Sequence, residues 1–302
     1  MDSKSNKEFN QAKSPFFRGI SPERPTTHLE FTISDAEFAL FRELIYDLIG
    51  IQLNENKKML VISRLSRRLR SLQLSSFSQY YEFITQSATG TDELVNLINQ
   101  ITTNKTDFFR EAHHFDFLQQ DFLPKFLEKR QNNLRIWSAG CSSGEEPYTI
   151  AMSLLNFFIS KNIRPESLDI KILATDIDTN VLEKASEGIY KNSIFSDIPS
   201  SYQQRFFEYH GPNQVRVKPM LQSLISFRRF NLIHPFPFKF GFDLIFCRNV
   251  LIYFKQSDRL QIVRKFNSVL RQNGYLILGH SESLLVDNCG FRSLGNTVYR
   301  KE

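Results

Sequence analysis

From about residue 105 onward, short apolar runs alternate with helical patterns, and this alternation limits the possible folds more than any other feature of the chain. The strand-like runs are Leu134–Ala139, Asp169–Thr175, Ser223–Phe230, Phe242–Cys247 and Gly274–Gly279, with a last one at Thr297–Arg300. Helical patterns lie between them at Pro147–Ser160, Asn180–Glu187 and Ser257–Leu270, and a helical stretch at Asp107–Glu128 leads in. Short apolar strands separated by helices pair in parallel and are covered on both faces. The sequence therefore predicts an α/β fold with a doubly wound, mostly parallel sheet. Residues 193–222 break the rhythm with Pro199, Gly211, Pro212, Pro219 and the alternating Val215 and Val217, which predicts a small antiparallel β insertion.

The chain before this region is of a different kind. Ser34 and Glu37 have capping-box spacing, and Phe38, Phe41, Ile45 and Leu48 then form an apolar face that Gly50 ends. A second helix, about 56–72, places Ile62, Leu65, Leu69 and Leu72 on one stripe, and shorter helices follow at Phe77–Thr85 and Asp92–Ile101. The expected organisation is a flexible tail over 1–28, a small all-α domain over 29–103 and the α/β domain over 104–302. At 302 residues the chain has room for both domains, and 41% apolar with 23% charged residues suits a globular protein.

Lys and Arg total 38 against 32 Asp and Glu, a net charge of +6. A surplus of this sign suits an acidic partner: a nucleic acid, an anionic membrane or a carboxylate-rich protein. It is concentrated in the second helix, where Lys57, Lys58, Arg64, Arg67, Arg68 and Arg70 occur with no acidic residue among them. Such a run is equally a solvated face. Cys141, Cys247 and Cys289 are far apart and form no CxxC pair, so neither a disulfide framework nor a structural zinc site is expected. Adjacent His113 and His114 diverge on a helix and are not expected to share a metal. The first thirty residues contain no apolar signal core, and no run of about 18 apolar residues occurs, so a cytoplasmic protein without membrane insertion is expected.

In an open parallel sheet, ligands bind beyond the carboxyl ends of the strands. The first predicted strand runs into Ala139-Gly140-Cys141-Ser142-Ser143-Gly144-Glu145-Glu146-Pro147, a small glycine-bearing turn with neither GxGxxG nor a P-loop pattern. Glu145 and Glu146 disfavour a phosphate there and suit a ligand with positive centres. Asp176, at the end of the second strand, is placed to accept from both hydroxyls of a ribose, while Asp178 better fits the cap of the next helix. Asn249 follows the Phe242–Cys247 strand as a candidate contact, with Tyr253 one turn on, and Cys247 reads as a core thiol. The linker Thr102–Glu111 brings hydroxyls, an amide and an arginine to the domain junction.

Five segments in order, TTNKTDFFREAHHF, IWSAGCSSGEEPYTIAM, ATDIDTNVLEKASEGIY, FCRNVLIYF and GYLILGHSESL, resemble the CheR-type chemotaxis receptor methyltransferases over about 31–300. The resemblance implies transfer of methyl from S-adenosylmethionine to glutamate side chains of chemoreceptors, giving glutamyl methyl esters and S-adenosylhomocysteine, with no metal. It places cofactor contacts at Asn104, Thr106, Arg110, Glu145, Asp176, Asn231, Leu232, Asn249 and Val250, and sets Arg110 and Tyr253 near the transferred methyl. It also implies docking of the cytoplasmic receptor helices on Arg64, Arg67, Arg68 and Arg70, and a monomer. The turn Glu208–Gln214 is shorter than in members that bind a receptor C-terminal pentapeptide and lacks their second glycine, so independence of that tether is expected. Two rival readings are a nucleic-acid methyltransferase and a non-catalytic cofactor-binding module. The first lacks the Pro-Pro-aromatic signature after the fourth strand, and an intact set of pocket residues argues against the second.

Overall fold

The computed structural model describes residues 31–87, 90–238, 241–283 and 289–302. The expected tail, 1–28, lies outside them. Four helices come first: α1 (Asp35–Ile49), α2 (Lys58–Ser71), α3 (Phe77–Gln86) and α4 (Gly90–Ile101). The capping box at α1 is formed in full: the Glu37 amide donates to Ser34 Oγ (3.2 Å), and the Ser34 amide donates to Glu37 Oε2 (2.8 Å). Phe38, Phe41 and Ile45 of α1 pack with Ile62, Leu65 and Leu69 of α2 and with Phe77, Tyr80 and Leu97 in one core.

The lead-in departs from the expected long helix. Residues 107–112 are irregular, with Phe109 and Glu111 at positive φ. Buried Phe108 and the capture of the Arg110 carbonyl by Arg248 (2.6 Å) hold this segment against the sheet domain, overriding its helical pattern. Helix begins only at α5 (His113–Phe117), continues through one π turn, and ends in α6 (Leu123–Glu128).

The remaining elements in chain order are β1 (Asn133–Ala139), α7 (Glu145–Ser160), β2 (Asp169–Asp176), α8 (Thr179–Glu187), β3 (Ile189–Lys191), α9 (Ser200–Phe206), β4 (Phe207–Tyr209), β5 (Gln214–Val217), α10 (Pro219–Gln222), β6 (Ile225–Arg229), β7 (Phe242–Cys247), α11 (Gln256–Val269), β8 (Leu270–Leu278), β9 (Phe291–Ser293) and β10 (Val298–Lys301). The seven-stranded sheet has the order β6-β2-β1-β7-β8-β10-β9. Its first five strands are parallel, and β10 and β9 close it antiparallel. The insertion is a three-stranded antiparallel sheet, β3-β5-β4, which begins at Ile189 rather than near 193.

Successive side chains of β1 enter opposite cores. Leu134 and Ile136 join the α7 side, with Tyr148, Ile150 and Leu154, whereas Trp137 and Ala139 join the α11 side, with Ile262, Val263 and Phe266. Burial on both faces explains why these strands read as nearly continuous apolar runs. Cys141, Cys247 and Cys289 are all buried free thiols. Strand order reverses between β1 and β7, which places the crevice beyond their carboxyl ends.

Candidate active site

Beyond that reversal lies a cavity of about 360 Å3. β1 enters it through Gly140, at φ +84°, where an added Cβ would lie 2.3 Å from Val250 Cγ2. Only a residue without a side chain lets the β1 turn approach the β7 loop this closely. Asp176, ending β2, accepts from the Ser142 amide (2.8 Å) on Oδ2 and from the Asp178 amide (3.0 Å) on Oδ1. Each oxygen keeps a lone pair for a further donor. Burial pushes this carboxyl above its usual range against the pull of the backbone amides.

The helical block supplies the other wall. Ile49 and Ile51 line the cavity, and so does the linker from Thr102 to Thr106. Asp178 caps α8 by accepting from the Asn180 and Val181 amides, and also receives Thr102 Oγ1 (2.8 Å) and Asn104 Nδ2 (2.6 Å). Asn231 Nδ2 donates to the Leu48 carbonyl (2.9 Å), and the Gln52 amide donates to the Tyr253 carbonyl (2.9 Å).

Asn104, Thr106, Arg110, Asp176, Asn231, Leu232, Asn249, Val250 and Tyr253 all line this one cavity. Glu145 does not. Its buried carboxylate accepts from Ser143 Oγ (2.7 Å), away from the cavity wall, and Glu146 occupies the wall instead. The two neighbours diverge because they start α7 about 100° apart around its axis.

Comparison with known proteins agrees with this arrangement. Residues 104–300 match the CheR methyltransferase SAM-binding domain, and residues 36–102 match the CheR methyltransferase all-alpha domain. A chemotaxis protein methyltransferase of Borreliella burgdorferi is 42% identical over 85% of this chain and 91% of its own length. Its Escherichia coli counterpart is 40% identical over 88% of this chain and 91% of its own length. The chain belongs to the CheR methyltransferase family. It is thus an S-adenosylmethionine-dependent methyltransferase.

The cavity fits that cofactor. A half-buried acid with spare acceptor capacity stands in the wall, and elsewhere in it Arg110 has no carboxylate partner among the described residues, its Nη1 donating to the Lys105 carbonyl (2.9 Å). Three residues that frame this CheR-family site carry no assignment in the sequence reading. Arg248 is buried; its Nε donates to Glu146 Oε2 (2.7 Å), and its Nη1 reaches His114 Nδ1 (3.1 Å). His114 Nε2 faces the Asn296 carbonyl (3.0 Å), so its proton sits on Nε2, and burial with the charge of Arg248 lowers its pKa to about 4. Glu282 accepts from the amides of Asn249 (2.6 Å), Gly279 (2.8 Å) and Ile252 (3.2 Å), fixing the loop that carries Asn249 at φ +59°. Burial raises the Glu282 carboxyl against these bonds. The signals were present but brief: a charge directly after a buried strand in FCRNV, and an acid three residues after the glycine of GHSE.

Glu111, His113 and His114 have ligand atoms within 4.8 Å of one another. Both His114 nitrogens already have partners, however, and the nearby Arg248 guanidinium opposes a cation.

The basic helix presents the four arginines expected to dock a partner on two different faces. Arg64 Nη1 donates to the carbonyls of Ile101 (2.6 Å) and Thr102 (2.7 Å), closing the end of α4. Arg68 clamps Glu93, a buried acid that also receives the Tyr80 hydroxyl (2.9 Å). Arg67 and Arg70 occupy the exposed face.

Proposed function

We propose that this enzyme methylates glutamate carboxylates on the cytoplasmic helices of chemoreceptors. The observation that carries this reading is the convergence of Asp176, Arg110 and Tyr253 on one cavity. Asp176 holds the ribose hydroxyls through its two unused lone pairs, and Asn104, Thr106, Asn231, Leu232, Asn249 and Val250 shape the remaining cofactor contacts. Bound S-adenosylmethionine supplies an electrophilic methyl on sulfonium, and attack by a carboxylate oxygen leaves a neutral ester and a neutral thioether. A glutamate is ionised at neutral pH, with a reference pKa of about 4.3, so the chain needs neither a general base nor a metal for this step. Arg110 and Tyr253 orient the incoming carboxylate in line and help exclude water. The relatives named for chemotaxis support the receptor as substrate.

Docking falls to Arg67 and Arg70, whose positions lie on the exposed face of α2. The hairpin between β4 and β5 is closed by only His210–Asn213, which supports action without a pentapeptide tether. The enzyme works as a cytoplasmic monomer, with no nucleic acid among its partners.

Purified protein, labelled cofactor and a receptor cytoplasmic fragment test the reading. Base-labile label on the fragment is expected, whereas base-stable label or none overturns it. Asp176→Ala is expected to weaken S-adenosylhomocysteine binding at least tenfold, since two bonds to a charged acceptor are worth about 3 kcal/mol. An unchanged dissociation constant would remove Asp176 from the site.

A further inference from the structure

His280 lies just past β8, in the wall of the same cavity, and its side chain is 70% exposed. An exposed ring is usually free to turn, but this one is held twice. Its backbone sits in a turn closed by the Glu282 amide donating to the Gly279 carbonyl (2.9 Å), and Glu282 in turn receives the Gly279 amide. Its Nδ1 is 2.8 Å from Glu111 Oε1. Glu111 is itself only 10% exposed and reaches Asn249 Nδ2 (3.4 Å) with the same oxygen. Among the described residues its Oε2 has no hydrogen-bond partner, and it lies 3.8 Å from the Arg248 guanidinium. Burial raises the Glu111 carboxyl, but the His280 bond and the charge of Arg248 outweigh it and hold the group below its usual range. The buried anion therefore stays charged and fixes which nitrogen of His280 faces inward.

We propose that His280, oriented by Glu111, is a further positioning residue of the transfer site, and that its outer nitrogen, Nε2, donates to the acceptor carboxylate. The inference rests on the glutamate-methylation reading given above. Topology places His280 on the acceptor side. Asp176 ends β2, and three strand spacings, ~14 Å, separate β2 from β8 across β1 and β7. With the ribose at Asp176, the end of the cavity near β8 is left for the group that receives the methyl. A carboxylate arriving there sets the ring between two anions, and donation to both at once takes the protonated imidazolium form, whose two nitrogens each carry a hydrogen. Once esterified, the acceptor has lost its charge and this bond weakens, which favours release of product over retention.

The test uses the full chain, labelled S-adenosylmethionine and a receptor cytoplasmic fragment. His280→Ala is expected to lower kcat/KM for the fragment roughly tenfold while changing S-adenosylhomocysteine affinity less than about twofold, the low end for one charge-assisted bond made only to acceptor. Glu111→Gln should produce the same split, and the double variant should be no worse than the more impaired single variant. Because Glu111 is buried, His280→Ala decides the matter if Glu111→Gln fails to fold. Undiminished transfer by His280→Ala, or cofactor affinity falling in step with transfer, overturns the assignment. A wild-type enzyme that binds S-adenosylhomocysteine but leaves no base-labile methyl on the fragment overturns the parent reading, and this one with it.

Discussion

At the residue scale, the site is made by groups whose charge state is set by burial and a fixed neighbour. His114 is the clearest. Its side chain is fully buried, and its pKa drops from 6.5 to about 4. The folded state therefore binds this proton less readily than the unfolded chain, so stability is complete above about pH 6.5 and is lost as pH falls toward about 4. Over that window the loss is roughly 3 kcal/mol. Urea midpoints measured from pH 7 to pH 4 are expected to fall steeply for wild type and less steeply for His114→Gln, which starts lower because the buried ring's contacts with Arg248 and the Asn296 carbonyl are disturbed. Parallel slopes would mean that His114 is not the titrating group. Sequence alone placed Asp176 and Asn249 in the cavity because strand ends in a parallel sheet point there. It named Glu145 and Glu146 together, and the family resemblance singled out Glu145, because a pair of adjacent acids carries no sign of which one the helix turns toward the cavity. Arg248, Glu282 and Glu111 were missed because the partners that tie them to the site lie far away in the chain: Glu146 for Arg248, Asn249 for Glu282 and His280 for Glu111.

At the element scale, the charge run of α2 divides between bonds inside the helical block and the exposed face proposed above for docking. Positions 64 and 68 are one turn apart on the face toward α4, whereas 67 and 70 fall on the outer face. Arg68→Ala is expected to cost about 2 kcal/mol, because it leaves Glu93 buried without its cation, discounted for the partial exposure of Arg68 itself. Arg67→Glu together with Arg70→Glu should leave the melting temperature within a degree or two. The pair should raise KM for the receptor fragment several-fold at low ionic strength, and the difference should shrink as salt shortens the Debye length below about 8 Å. A salt-independent defect would point to misfolding instead of lost docking. Charge alone could not sort these arginines, since the carbonyls of Ile101 and Thr102 that receive Arg64 appear only once α4 is in place. The strands were legible because burial on both faces writes them as apolar runs. The three-residue β9 and the positive-φ loop at 107–112 were not, because pairing and side-chain capture decide them rather than local preference.

At the scale of the whole molecule, the cofactor cavity has walls from both the helical block and the sheet, so its affinity should report how firmly the two are joined. Beside the cavity the join includes Asn99, whose Nδ2 donates to Thr179 Oγ1 (2.9 Å) and whose Oδ1 accepts from the Thr179 amide (3.1 Å). Asn99 is 9% exposed and is not itself a lining residue, although its carbonyl accepts from Oγ1 of the wall residue Thr102 (3.3 Å). Asn99→Ala leaves the half-buried Thr179 amide at the start of α8 without this acceptor and is expected to cost about 1 kcal/mol. If the block and the sheet act as one unit, part of that loss appears as weaker binding, because the Thr102–Thr106 wall is no longer held against Asp178. S-adenosylhomocysteine affinity should then fall several-fold, and the ligand should restore more melting temperature to the variant than to wild type at saturating concentration. Calorimetric titration paired with thermal melts separates the cases. A lowered melting temperature with wild-type affinity would mean that the linker holds its shape without Asn99, through Asp178 and through Ser142 Oγ, which donates to the Asn104 carbonyl (2.9 Å).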